Sequence, residues 1–332
     1  MKGVALLVAA LAKPETVLAL DAPGWTDLLS IAKAERLAGS LAHGLDGLVM
    51  PDAARRVLTA ARANAETGRT HALWEAEMAR TALAKLGVPI VLLKGAAFVA
   101  AGLDAGQGRL IGDLDILVPR EQLDGVEAAL LSAGWEWVKA DPYDDDYYRR
   151  WMHELPPLIH RDRDRMIDVH HTILPLTSRP KPDAAAMIAD SVALENGLRI
   201  LAPEDMVVHA AAHLFADGDL AGGLRNLWDI DRLVREFEGD GFHDRLLARA
   251  NLHGLKPETE RALRLSAKLF ETPIPPELSR LADRLYLNRL MARDGWGRET
   301  RPLLRLAFYI RSHWLRMPPM MLAKHLWTKW RK

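Results

Sequence analysis

Apolar positions change period twice along this chain. Over residues 22–85 they recur at helical spacing, first in LLSIAKAERLAGSLAHGL and then in the long run AARRVLTAARANAETGRTHALWEAEMARTALAKLG, for which Asp52 is the expected cap. Gly87 and Pro89 end that period. The run VPIVLL is short and β-branched, so residues 88–93 predict a strand. Lys94 and Gly95 close it, 96–101 predicts a short helix, and after a Gly-rich loop a second apolar run predicts a strand over 110–118. Beyond Pro119, EQLDGVEAALLSAGW predicts a helix ending near Gly134. Strands are expected over 135–139, 155–160 and 166–173, the last two joined as a hairpin by the charged turn RDRDR. Between them, DPYDDDYYRRW reads as a polar, aromatic loop. The helical period returns at PEDMVVHAAAHLF, opened by Pro203, Glu204 and Asp205, and continues through LRNLWDIDRLVREF into helices broken by prolines. The pattern divides the chain into a helical region over 1–86, a strand-bearing core over 87–200 and a second helical region over 201–332.

The two ends modify this picture. MKGVALLVAALAKPE superficially resembles a secretory signal, but one Lys makes a weak charged segment, and a first helix with Pro14 near its end is expected. No apolar run reaches the roughly 18 residues of a membrane-spanning helix. The formal net charge is zero, yet residues 298–332 hold nine Lys or Arg against one Glu. In that tail, cations alternate with Trp, Leu, Phe and Met around Pro318-Pro319. It is expected to form a terminal helix pair with a solvated cationic face, or to dock on an anionic membrane surface or nucleic acid. The absence of cysteine excludes disulfides, thiol catalysis and cysteine-based zinc sites, and suits a cytoplasmic protein, peripheral at the membrane if the tail docks there.

The chemistry concentrates in the core. Side chains alternate along a strand, so Asp113 and Asp115 share one face and Leu114 and Ile116 the other. On the strand over 166–173, Asp168 and His170 likewise share a face. If the two strands are neighbours, three carboxylates converge, an arrangement that is costly unless a divalent cation compensates it. Such a cluster suits two Mg²⁺ or Mn²⁺ ions clamping a phosphoryl-type transfer. Lys94 and the Gly95 turn stand where strand meets helix and are expected to face phosphates, with loss of the Lys94 side chain leaving the ligand-free protein nearly as stable. Asp144 to Asp146 read as solvated loop carboxylates. His209 and His213, at i and i+4, lack the intervening Glu of a zinc hydrolase and read as structural or substrate-side. His171 is expected to point away from the site, and Trp228, Asp229 and Asp231 to serve packing and surface pairing.

Taken in order, LLKGAA, GDLDILV, MIDVHH, LAPEDMVVHAAAH and LRNLWDIDRL resemble the nucleotidyltransferase superfamily of the DNA polymerase β type, and more closely a bacterial family of uncharacterised nucleotidyltransferases. The resemblance covers about residues 88–235. It implies an α+β fold: a polymerase β-like core of mixed sheet and helices, flanked by N-terminal and C-terminal helical regions. It also implies transfer of a nucleoside monophosphate from an NTP, such as ATP, to an acceptor that is a small molecule, a protein or an RNA end. By this resemblance Asp113, Asp115 and Asp168 match the catalytic metal ligands, and Lys94, Gly95, Arg109, Gly112, His213 and Arg225 are nucleotide or acceptor contacts. The chain departs from the family pattern at Gly95-Ala96, where Gly-Ser or Gly-Gly is usual, so a phosphate-binding hydroxyl is missing. The alternatives are a nucleotide-binding regulatory or scaffold protein with a degraded site, and a metal-dependent phosphohydrolase.

Overall fold

A computed structural model describes residues 3–139, 142–239, 241–275 and 280–316, together with Trp327. The N-terminal region is helical: α1 (Val4–Ala12), α2 (Ala22–Ala34), α3 (Ala38–Gly44) and the long α4 (Asp52–Leu83). The carboxylate of Asp21 caps α2 by accepting from the Gly24 amide at 2.9 Å. At α4 the cap position falls on Pro51. Asp52 is the first helical residue and makes no cap bond, so its charge acts only on the first turn.

The core follows as β1 (Val91–Leu92), α5 (Lys94–Ala100), β2 (Leu114–Leu117), α6 (Leu123–Ser132), β3 (Trp135–Trp137), α7 (Pro142–Trp151), β4 (Leu158–His160), β5 (Met166–His170), α8 (Ala184–Ala189), β6 (Val192–Ala193) and β7 (Arg199–Ile200). The strands form one mixed sheet in the order β3-β4-β5-β2-β1-β7-β6, with β2 parallel to β5 and β1 parallel to β7. The hairpin expected around RDRDR is the antiparallel β4–β5 pair.

The segment expected as a polar loop is instead α7. Its acids and bases fall four apart, so Asp145 pairs with Arg149 at 2.9 Å and Asp146 with Arg150 at 2.6 Å. Arg149 also reaches Glu127 on α6, which fastens the helix to the core. The carboxylates of this stretch thus balance a helix surface. The β6–β7 hairpin had no counterpart in the apolar pattern, because two-residue strands are too short to show a period.

The C-terminal region holds α9 (Pro203–Ala212), α10 (Gly223–Phe237), α11 (Phe242–Leu252), α12 (Lys256–Phe270), α13 (Asp283–Leu290) and α14 (Pro302–Arg316). α9 runs into a π-turn over His213–Asp217. Asp229 and Asp231 on α10 are buried, not surface-paired as expected. Asp231 is closed by Arg232, Arg235 and the Thr272 hydroxyl, while Trp228 packs edge-on against Phe270. On α14, Leu303, Leu306, Ile310 and Trp314 are exposed. The second helix expected beyond Pro318-Pro319 lies outside the described residues. No helix among the described residues is long and apolar enough to cross a membrane.

One apolar core runs from Val4 to Phe308 through all three regions. The N-terminal helices are therefore built into the ground on which the site stands. The closest approach is at Gly39 on α3 and Gly108 in the loop before β2. A Cβ on either would lie 2.2 Å from the other's carbonyl oxygen, and Gly108 sits at φ +63°. Beside that crossing the Ser40 hydroxyl donates to the Gln107 carbonyl at 2.9 Å. The N-terminal region thus sets the position of the loop that leads into the carboxylate strand.

Candidate active site

The site is assembled where β2 and β5 run side by side. Their register places Asp115 directly across from Asp168, with Leu117 across from His170. Asp113 sits just before β2 and is exposed, so the acids expected to share one strand face occupy a strand and its approach. All three belong to one electrostatic cluster with Glu154.

The two acids in register are treated differently. Asp115 is almost wholly buried and is satisfied twice: Lys94 Nζ donates to its Oδ1 at 2.6 Å, and His170 Nε2 lies 2.9 Å from the same oxygen. Burial alone would raise its pKa, but Lys94 and His170 together hold the carboxyl well below the usual range. The same pairing keeps Lys94 charged. Burial opposes its ammonium, while Asp115, with Asp113 and Glu154 beyond it, raises its pKa above the ordinary lysine value. Lys94 also sits at a left-handed backbone angle, φ 49°, where strand turns into helix. Asp168 has a buried Oδ1 with no hydrogen-bond partner. Burial, then the charges of Glu154, Asp115 and Asp113, push its carboxyl up to about 7, with His170 opposing.

Residues 153–155 run antiparallel along the end of β5. Glu154 bridges His170, Leu155 donates its amide to Val169, and His171 donates its amide to His153. This frame brings His153, Glu154 and His170 together beside the carboxylates. His170 Nδ1 lies 3.4 Å and His153 Nε2 3.6 Å from Glu154 Oε2. Burial, then the neighbouring His170 and Lys94, lower the His153 pKa well below its ordinary value and keep the ring neutral. His171 is buried, and burial and then Arg120 bring its pKa to about 4.

In front of the strands lies a cleft of about 790 Å³, lined by Lys94, Gly95, Arg109, Gly112, Asp113, Asp115, His209, His213 and Arg225 among others. Gly95 leaves room for its neighbour, since a Cβ there would come within 2.6 Å of Arg109 Nε and that side chain would have to shift. Gly112 has no such need; a Cβ there meets open space. Arg109 lies over the Phe98 ring and pairs with Asp229. Arg225, expected to contact the ligand, is buried, with its guanidinium donating to Asp229, to the Ser40 hydroxyl at 2.7 Å and to the Ala105 carbonyl at 3.4 Å. Its donors are spent inside the protein, so it braces the cleft wall between α10 and the N-terminal helices. His209 is buried and held neutral by burial and then by Lys94, whereas His213, at the start of the π-turn, is exposed on the rim.

The sequence reading missed His153, Glu154 and the Ser40–Arg225–Asp229 brace. The adjacent His-Glu of WMHELPP was a visible signal, but the segment before it read as loop. Nothing local links Ser40 to Arg225, which are 185 residues apart.

No curated protein matches the chain at a significant level. A family described as "Uncharacterised nucleotidyltransferase" does match, over residues 21–271, a span that holds α2 to α4, the sheet with its carboxylates and the α9–α10 wall. The strand-KG-helix turn, the in-register acids and the cleft lining apart from Arg293 fall inside that match, and the chain belongs to the uncharacterised nucleotidyltransferase family.

Proposed function

We propose that this chain transfers a nucleoside monophosphate from an NTP to an acceptor hydroxyl at the cleft before β2 and β5, releasing pyrophosphate. The supporting observation is the Asp115–Asp168 register pair, with Asp115 and Asp113 lining a cleft that also presents Lys94 and Arg109. The donor set fits divalent ions. Asp168 Oδ1 is buried without a partner, and its carboxyl is raised to about 7 by burial and then by the charges of Glu154, Asp115 and Asp113, which a bound cation would offset. Two Mg²⁺ or Mn²⁺ ions held by Asp113, Asp115 and Asp168 would neutralise the triphosphate and acidify the acceptor hydroxyl.

The protein's own groups do the rest. Lys94 holds Asp115 ionised in the ligand-free state and is placed to move from that carboxylate to a triphosphate oxygen. Gly95 keeps the turn bare, so that phosphate approaches the start of α5 beside the Arg109 guanidinium. The new bond forms between the acceptor oxygen and the α-phosphorus, and the bond from that phosphorus to the bridging oxygen breaks. Asp168 takes the hydroxyl proton. His213 and Gly112, on the rim, contact nucleotide or acceptor, and Arg225 acts by bracing Asp229 behind Arg109.

The test incubates the purified protein with each α-labelled NTP and Mg²⁺ in cell lysate and follows label and pyrophosphate. Label on an acceptor, matched by pyrophosphate and abolished by Asp168→Asn, is the expected result. Release of inorganic phosphate would make the protein a phosphohydrolase. Nucleotide binding without turnover would make it a regulatory binding module.

A further inference from the structure

We propose that His153, Glu154 and His170 form a binding site for one first-row transition-metal ion, of the Zn²⁺ class, separate from the three aspartates. One ligand atom from each lies within 4.8 Å of the other two. Around a tetrahedral ion with bonds of about 2.0–2.1 Å, ligand atoms stand roughly 3.3–3.4 Å apart. The 3.4 Å and 3.6 Å separations from Glu154 Oε2 to the two imidazoles already approach that spacing.

The state of His170 is the independent observation. The residue is 2 % exposed, and its Nδ1 is buried with no hydrogen bond. Its Nε2 lies 2.9 Å from Asp115 Oδ1, and its unpartnered Nδ1 is the atom turned toward Glu154. A metal ion held there would be bound by the ring nitrogen and the carboxylate oxygen that face each other across 3.4 Å. Carboxylate–imidazole–metal is the usual way a protein orients a ligating histidine, and Asp115 supplies the carboxylate here. His153 adds a second ring, whose Nε2 is the atom turned toward Glu154. Two imidazoles and one carboxylate suit zinc or its neighbours, whereas Mg²⁺ prefers an all-oxygen shell. Three protein ligands leave a fourth position open.

This site does not depend on nucleotidyl transfer, and its test contains no nucleotide. The chelator-stripped full-length protein is titrated with Co²⁺, followed by visible d–d absorption, and with Cu²⁺, followed by pulsed electron paramagnetic resonance. One equivalent of Co²⁺ should bind, be displaced by Zn²⁺ and resist a large excess of Mg²⁺. The copper-loaded wild-type protein should show coupling to imidazole nitrogen, a readout that needs no variant. His153→Ala and Glu154→Gln should each weaken Co²⁺ binding by more than the ~10–100-fold typical of losing an outer-shell partner. Asp113→Asn should leave it unchanged. Absence of nitrogen coupling, displacement by equimolar Mg²⁺, or a Co²⁺ affinity lost in Asp113→Asn and kept in the folded His153→Ala and Glu154→Gln proteins would overturn the proposal.

Discussion

Asp115 on β2 and Asp168 on β5 stand opposite each other in one sheet, yet the protein treats them in opposite ways. Asp115 is buried, paired with a lysine and a histidine, and held ionised. Asp168 has an orphaned oxygen and a carboxyl pushed up to about 7. The Arg225–Asp229–Ser40 brace on the far wall of the cleft resembles Asp115, with its polar atoms satisfied from inside. The difference separates two uses of buried charge. Charge paired within the chain holds the walls, and charge left unpaired is a demand on something that comes from outside. Removing a group of the first kind should therefore destabilise the ligand-free protein, and removing one of the second kind should stabilise it.

The largest effect is expected for Asp115→Asn. It leaves Lys94, only 27 % exposed, without its counter-charge, at a cost of about 3 kcal/mol in the ligand-free protein. This reverses the expectation that Lys94 is dispensable for stability, since Lys94→Ala strands the buried Asp115 in the same way. Urea denaturation in chelator measures both, and unchanged stability in both variants would show that the pair does not hold the wall.

Asp168→Asn should act with the opposite sign. Its folded pKa, about 7, lies above the unfolded value near 3.9, so the group's stabilising contribution is complete below about pH 4 and is lost as pH rises through 7. The Asn variant escapes that loss. Its advantage over wild type should grow from pH 5 to pH 8 and reach about 2 kcal/mol without divalent ions, less than the full shift implies because the group is partly exposed. Denaturation at three pH values reads it. A constant difference across that range would mean that Asp168 does not titrate there.

The smallest effect sharpens the contrast on the far wall. Ser40→Ala deprives the buried Arg225 of one acceptor and frees the loop carbonyl of Gln107, at about 1 kcal/mol. Thermal melting should show this loss at every pH between 5 and 8, because no group in the triad is removed from its charged partner. A loss that appeared only at high pH would link the brace to Asp168 and break the division between the walls.

The period of the apolar residues determined the strands β1 to β5 along the chain and the hairpin around RDRDR, because burial imposes periods of 3.6 and 2 on any chain that folds this way. It determined as well that Asp115, Asp168 and His170 would lie on strands, and the family resemblance paired the first two with Asp113. It misjudged α7, where the polar residues that suggested a loop are fours-apart ion pairs that stabilise a helix. Only the tertiary structure decided how each charge is used. The in-register pairing of β2 with β5 depends on residues more than fifty positions apart, as do Lys94 meeting Asp115 twenty-one positions away and Arg225 meeting Ser40. A carboxylate's pKa is set by the solvent it loses and the charges it gains on folding, and both are properties of the packed sheet that the spacing of residues along a strand does not contain.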